Sequence, residues 1–210
     1  MSNAVREQSR YFSHASLAHI RAMCRVMLYC FDFPIRGKVI HLTRKCENES
    51  TFEFEKKGRL DSDFAKDPIA HHSVNGYSIF VEGASASIKS QMQKYAALSV
   101  TEAEYGSGTK CVQDMLFTMP TLKSVGLHVQ RSMILEMDNK ETIGLGNNWS
   151  VGGRTYHIDV QHNFLRELKA DGILAFRYIP TAHNTSDIST KNVDGTTFNR
   201  HAATYCPDTV

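Results

Sequence analysis

Four carboxylates in this chain stand where a carboxylate is structurally unexpected. Asp61 closes an alternating apolar-polar run at 58–64, and Glu104 lies in the first turns of a helical pattern. Asp138 follows the apolar run Met133–Met137, and Asp187 opens a short helix after Pro180 and Asn184. If the strands bearing Asp61 and Asp138 are neighbours in one sheet, their carboxylates come within a few ångströms. Like charges crowded in this way either raise a pKa or bind a cation. Hard oxygen ligands of this kind suit Mg²⁺ or Mn²⁺. Two such ions about 3.5–4 Å apart activate a water on one side of a phosphodiester and stabilise the departing oxygen on the other. Most acidic residues in any sequence are solvated and idle, so these four matter only if the fold brings them together.

The elements that must position them can be read from periodicity. Leu17, Ile20, Met23, Cys24, Met27, Leu28 and Phe31 recur at intervals of three and four, which predicts an amphipathic helix over 16–31. Strand candidates follow at 38–43 and 51–55, expected to form a hairpin, and then at 58–64, 77–81 and 85–89, the last two joined by the turn-like Glu82-Gly83. A sheet that begins antiparallel is the implied architecture. A long helix is predicted from Thr101, with Thr101 as N-cap and Glu104 three residues on as its capping-box partner, ending at Pro120. Residues 133–137 predict a buried strand with Asp138 and Asn139 at its carboxyl end, where chemistry collects in open α/β sheets. Ile158, Gln161, Leu165 and Leu168 mark a helix, 173–179 a last strand, and Asp187 a short C-terminal helix.

Composition narrows the function classes. The 210 residues, 41% hydrophobic, suit one domain with an appendage, and the plainest boundary falls near 46–50. No apolar run reaches the roughly 18 residues of a membrane span. The opening MSNAVREQSR lacks the layout of a signal peptide, so an intracellular protein is expected, in the cytoplasm, a virus-like particle or the nucleus. Five cysteines with no CxxC pair fit neither a disulfide framework nor a zinc ribbon and are expected to be reduced and mostly buried. His71 with His72, and His157 with His162, lack the spacing of a metal site. A net charge of +2 does not by itself announce a nucleic-acid binder.

Several blocks carry a family resemblance. Leu60-Asp61-Ser62-Asp63-Phe64-Ala65, Ser73-Val74-Asn75-Gly76-Tyr77 and Ala97-Leu98-Ser99-Val100-Thr101-Glu102-Ala103-Glu104-Tyr105 come first. Met137-Asp138-Asn139-Lys140, Gly153-Arg154-Thr155-Tyr156-His157, Tyr178-Ile179-Pro180-Thr181 and Ser186-Asp187-Ile188-Ser189-Thr190-Lys191 follow in order. Together they resemble the ribonuclease H domain of copia-type LTR retrotransposon polyproteins over roughly residues 57–200. Upstream, Ser9-Arg10-Tyr11-Phe12 and His19-Ile20-Arg21-Ala22 are similar to the segment joining the reverse transcriptase to that domain. The resemblance implies a ribonuclease-H-like α/β fold: a mixed five-stranded sheet, three antiparallel strands and then parallel ones, flanked by helices. It divides the chain into a connection remnant (1–50), a ribonuclease H-like domain (51–200) and a tail (201–210).

It also implies that Asp61, Glu104, Asp138 and Asp187 hold two Mg²⁺ or Mn²⁺ ions and cut the RNA strand of an RNA–DNA hybrid, leaving a 3′-hydroxyl and a 5′-phosphate. The reverse transcriptase of the same polyprotein is the implied protein partner. Asp63 shares strand parity with Asp61, and Glu136 with Asp138, so each is an alternative ligand if register differs. Glu102 is a third, about 200° around the helix from Glu104. Lys89, Lys140, Arg154, Arg166, Lys169 and Lys191 are candidate phosphate contacts, and Ser62 and Asn139 candidates for reading a ribose 2′-hydroxyl. Trp149 could stack on a base or anchor a loop. Gly106-Ser107-Gly108 depart from the family pattern and read as letting a nucleic-acid backbone approach; Ser189 and Asn192-Val193 depart from it as well. An inactive nucleic-acid-binding module keeps the fold without the reaction. An integrase or transposase would need a late glutamate, and none follows Glu167.

Overall fold

The computed structural model describes residues 2–34, 38, 40, 42–44, 52–147 and 156–206. Cys46, the boundary at 46–50, Trp149 and Arg154 lie outside the described residues, as does part of the strand candidate at 38–43. The chain runs through α1 (Ser2–Ser9), α2 (Leu17–Asp32), β1 (Glu53–Phe54), β2 (Lys56–Asp63), β3 (Val74–Val81), β4 (Ala84–Met92) and α3 (Val100–Ser124). It continues through β5 (His128–Val129), β6 (Met133–Met137), α4 (Lys140–Asn147), α5 (Tyr156–Ala170), β7 (Leu174–Tyr178), α6 (Asp187–Thr190) and α7 (Gly195–Tyr205).

The main sheet has the order β4-β3-β2-β6-β7. β2, β3 and β4 pair antiparallel, and β6 and β7 add to the β2 side in parallel. This is the mixed five-stranded α/β arrangement expected from the sequence. The β3–β4 connection is a two-residue turn with Glu82 at φ 48° and Gly83 at φ 80°, the left-handed pair that matches strand twist in a tight hairpin. Glutamate is disfavoured there, and Arg44 holds it in place: its Nε and Nη2 donate to the two Glu82 oxygens at 2.6 Å each.

Among the described residues, 52–55 do not form the expected hairpin with 38–43. β1 pairs instead in parallel with β5, a two-stranded sheet built from segments 75 positions apart by the register Glu53↔His128. A two-residue strand has too little pattern of its own to specify a partner.

The core lies between the sheet and α3. Leu60, Tyr77, Ile79, Leu135 and Met137 meet Tyr105, Cys111, Val112 and Met115 of that helix, with Leu165 of α5 beside them. α3 runs through Pro120 to Ser124 rather than ending at the proline. The missing N–H removes one helical hydrogen bond, a loss the last turn tolerates. Under this stretch the buried Lys56 ammonium donates to the Met115 carbonyl and the Thr118 hydroxyl.

α1 docks on the far edge of the sheet. Its Arg6 donates to Ser90 of β4 at 2.9 Å, and the Asn3 amide to the Lys191 carbonyl and to Asn192, each at 3.1 Å. α2, capped by Ser16, is a helix as expected, but none of its residues is buried, and Leu17, Ile20, Met27, Leu28 and Phe31 are exposed. The cysteines are less buried than expected: among the described residues Cys111 is buried, Cys206 is intermediate, and Cys24 and Cys30 are exposed, all four as free thiols. No described helix is long and apolar enough to cross a membrane.

Candidate metal centre

Parallel pairing of β2 and β6 sets Arg59 beside Glu136, so the chain brings Asp61 and Asp138 to the same end of adjacent strands two residues later. α3 starts above that end. Its N-cap is Ser99, two residues before the expected Thr101: the Ser99 hydroxyl accepts the Glu102 N–H at 3.1 Å, and the Glu102 carboxylate accepts the Leu98 N–H at 2.7 Å. The capping acid is therefore Glu102, not Glu104. Glu104 is left to turn inward, where its Oε1 accepts both the N–H and the hydroxyl of Ser62 at 3.1 Å.

Asp61, Glu104 and Asp138 each offer a carboxylate oxygen within 4.8 Å of the others. They line a cleft of about 510 Å³ together with Ser62, Asn139, Lys140 and Lys191. Asp61 and Glu104 are buried. Burial pushes Glu104 up to about 8, reinforced by the Asp61 and Asp138 carboxylates. Burial likewise raises Asp61 to about 7, against the opposing pull of the Lys191 ammonium and with the Asp187 carboxylate adding to the rise. Glu104 Oε2 is buried and has no hydrogen-bond partner. A buried carboxyl oxygen without a partner, on a side chain grouped with two more carboxylates, is the environment a divalent cation relieves, and an all-oxygen donor set fits Mg²⁺ or Mn²⁺.

Asp187 is not within this triad. Lys191 Nζ bridges it to Asp61, 3.0 Å from Asp61 Oδ1 and 3.2 Å from Asp187 Oδ1. Thr190 donates its hydroxyl to the second Asp61 oxygen. α6 comes this close because β3 presents Gly76 opposite Asp61: a Cβ at 76 would meet the Thr190 methyl and lie 3.1 Å from Ser189 Cβ.

The alternative ligands sit elsewhere. Asp63 pairs with Lys66 at 2.8 Å. Glu136 pairs with Arg59 at 2.7 Å and Arg177 at 3.4 Å, while the chain leaves strand geometry before Asp138, so the shared parity does not carry through. The bases divide. Lys89 and Lys140 are exposed, with Lys140 Nζ 4.8 Å over the Tyr178 ring. Arg166, expected to reach phosphate, is 8% exposed and donates to the Leu145 carbonyl through Nε at 3.3 Å and Nη2 at 3.2 Å, which makes it an anchor for the end of α4. Lys169 donates to Asn147 at 2.5 Å. Lys191 faces two carboxylates rather than solvent alone. Asn139 caps α4, its Oδ1 accepting the N–H groups of Glu141 and Thr142 at 3.0 and 3.1 Å.

Gly106 and Gly108 face protein, not an open approach. A Cβ at Gly106 would strike the Tyr95 hydroxyl, and one at Gly108 would touch Leu60 and Leu135. Sequence reasoning also missed Asn184, whose amide donates to the Leu60 carbonyl at 2.8 Å and to Asp138 Oδ1 at 3.3 Å, tying the triad to the β2 backbone. Gln93 was missed too; its amide donates to Asn75 at 2.6 Å and to the Ala103 carbonyl at 2.9 Å, fixing the first turn of α3.

No protein-family model matches the chain. The retrovirus-related Pol polyprotein from transposon TNT 1-94 of Nicotiana tabacum is 36% identical over 137 residues, 65% of this chain and 10% of that protein. The corresponding polyprotein from transposon RE1 of Arabidopsis thaliana is 26% identical over 203 residues, 97% of this chain and 13% of that protein. The chain thus spans about a tenth of the length of the curated relatives it matches. Among solved structures, the N-terminal RNase H domain of a Mycobacterium tuberculosis protein aligns with a TM-score of 0.48 at 14% identity, covering 71% of this chain and 97% of that one. LC11-RNase H1 in complex with an RNA/DNA hybrid aligns at 0.49 and 15% identity, covering 66% and 94%. By these sequence matches, the chain is similar to a segment of the retrovirus-related Pol polyproteins of plant transposons.

Proposed function

We propose that this chain is a metal-dependent ribonuclease H that cuts the RNA strand of RNA–DNA hybrids during retrotransposon reverse transcription. The observation that carries the reading is the convergence of Asp61, Glu104 and Asp138, with Glu104 Oε2 buried and unpartnered. Asp61, Glu104 and Asp138 would hold Mg²⁺ or Mn²⁺, and Asp61 with Asp187 a second ion. Bound, the ions supply an activated water and charge stabilisation at the departing oxygen.

The chain's own residues do the positioning. Ser62 orients Glu104 through two hydrogen bonds, and Asn184 orients Asp138. Lys89 and Lys140 are exposed cations for the substrate backbone, with Arg154 a further candidate, and Ser62 and Asn139 stand at the cleft where a ribose hydroxyl would be read. Residues 51–200 are assigned to the nuclease and 1–50 to a connection toward the reverse transcriptase of the same polyprotein, acting inside the cell. The test is cleavage of a labelled hybrid in Mg²⁺ or Mn²⁺ by the wild-type protein and by Asp138→Asn. Cleavage lost in the variant is expected; wild-type cleavage no greater than that of Asp138→Asn would overturn the nuclease reading.

A further inference from the structure

Among the described residues, Lys191 is the one base lining the cleft that pairs with the carboxylates. Its Nζ lies 3.0 Å from Asp61 Oδ1 and 3.2 Å from Asp187 Oδ1. The backbone beneath it is fixed at both ends: its N–H donates to the Asp187 carbonyl at 2.8 Å, and its carbonyl accepts the Asn3 amide at 3.1 Å. The side chain is not locked in, being 39% exposed and opening onto the cleft. An ammonium on a flexible four-carbon stem can leave such a place without disturbing the backbone.

The acidic neighbours of Asp61 are therefore unequal. Toward Glu104 and Asp138 the carboxylates have no cation among the described residues, and one Glu104 oxygen is bare. Toward Asp187 a cation is already built in. A divalent cation held by Asp61 and Asp187 would draw on the carboxylate charge that the Lys191 ammonium now pairs with.

Resting on the metal-centre reading above, we infer that Lys191 is an internal competitor for the second ion. The first ion enters at Asp61, Glu104 and Asp138 with Lys191 in place, and an ion between Asp61 and Asp187 binds only as the Lys191 ammonium swings out. Occupancy of the two positions is then ordered, and the expelled ammonium is freed at the rim of the cleft.

The test is calorimetric titration of Mn²⁺ into the full chain as wild type, Lys191→Met and Lys191→Arg. The wild type should show a strong and a weak step; Lys191→Met should tighten the weak step by about tenfold or more and leave the strong one within about threefold, and Lys191→Arg should behave as wild type. In the wild type, a Mg²⁺ titration followed by NMR should move the Lys191 Cε signal with the second equivalent, a readout that stands even if Lys191→Met fails to fold. An unchanged weak step in Lys191→Met, or a Cε signal that moves with the first equivalent or not at all, overturns the inference while the metal centre stands. Absence of Mn²⁺ binding in both wild type and Lys191→Met removes the metal centre and this inference with it.

Discussion

Glu104 Oε1 accepts two hydrogen bonds from Ser62, while Oε2 of the same carboxylate, buried beside it, accepts none. One oxygen is fixed by the protein and the other is left for a ligand. In a metal-free protein that arrangement costs stability once the group ionises.

The pH dependence follows from this. Burial and its acidic neighbours raise Glu104 to about 8, so the folded metal-free protein holds a proton that the unfolded chain releases near the ordinary glutamate value of about 4.3. The folded state binds more protons between those values, and stability falls as pH rises through that window. Thermal melts in a chelator should show the melting temperature dropping from pH 5 to pH 8. Glu104→Gln should remove part of the drop, the rest remaining with Asp61, and stabilise the metal-free protein at pH 8 by about 2 kcal/mol, well below the full linkage value because neighbouring acids titrate with it. Excess Mg²⁺ should flatten the wild-type profile as well.

Asn184 holds Asp138 from behind at 3.3 Å. Replacing a residue that orients a ligand typically costs about 10–100-fold in metal affinity or activity. Asn184→Ala should weaken Mn²⁺ binding within that range, measured by calorimetry, with the far-ultraviolet spectrum unchanged.

Glu136 offers the opposite control. Its carboxylate is occupied by Arg59 and Arg177. Glu136→Gln should leave Mn²⁺ affinity intact and lower stability by about 2 kcal/mol through the weakened charged hydrogen bonds, read by urea unfolding. A large loss of affinity with no loss of stability would reinstate Glu136 as a ligand.

Gly106 allows α3 to lie against Tyr95. Gly106→Ala should destabilise the protein by about 1–3 kcal/mol despite alanine's higher helix propensity, because the methyl collides with the Tyr95 hydroxyl. The double variant with Tyr95→Phe should recover most of that loss in thermal melts.

What could be read from the sequence was whatever depends on local order. The strand bearing Asp61, the buried run before Asp138 and the turn at Glu82-Gly83 each carry their own periodic or turn signal, and all three stand in the fold. The α3 cap was misplaced because Ser99 and Thr101 each have an acid three residues on; only packing decides which acid faces the sheet. The partner of β1 lies 75 positions away and leaves no mark in two residues. Arg166 and Lys191 show why charge alone misleads. A basic side chain reads as a phosphate contact, but whether it meets solvent, a carbonyl or two carboxylates depends on elements distant in the chain.

The hydrogen bonds from Asn3 to the Lys191 carbonyl and to Asn192 join positions nearly the whole chain apart. They act as a clasp, closing the first helix onto the strap that carries Asp187. Tension on the N-terminal segment is therefore borne at the edge of the carboxylate cluster, and the amide protons of α1 and of the strap at Asp187 should exchange with solvent as one unit.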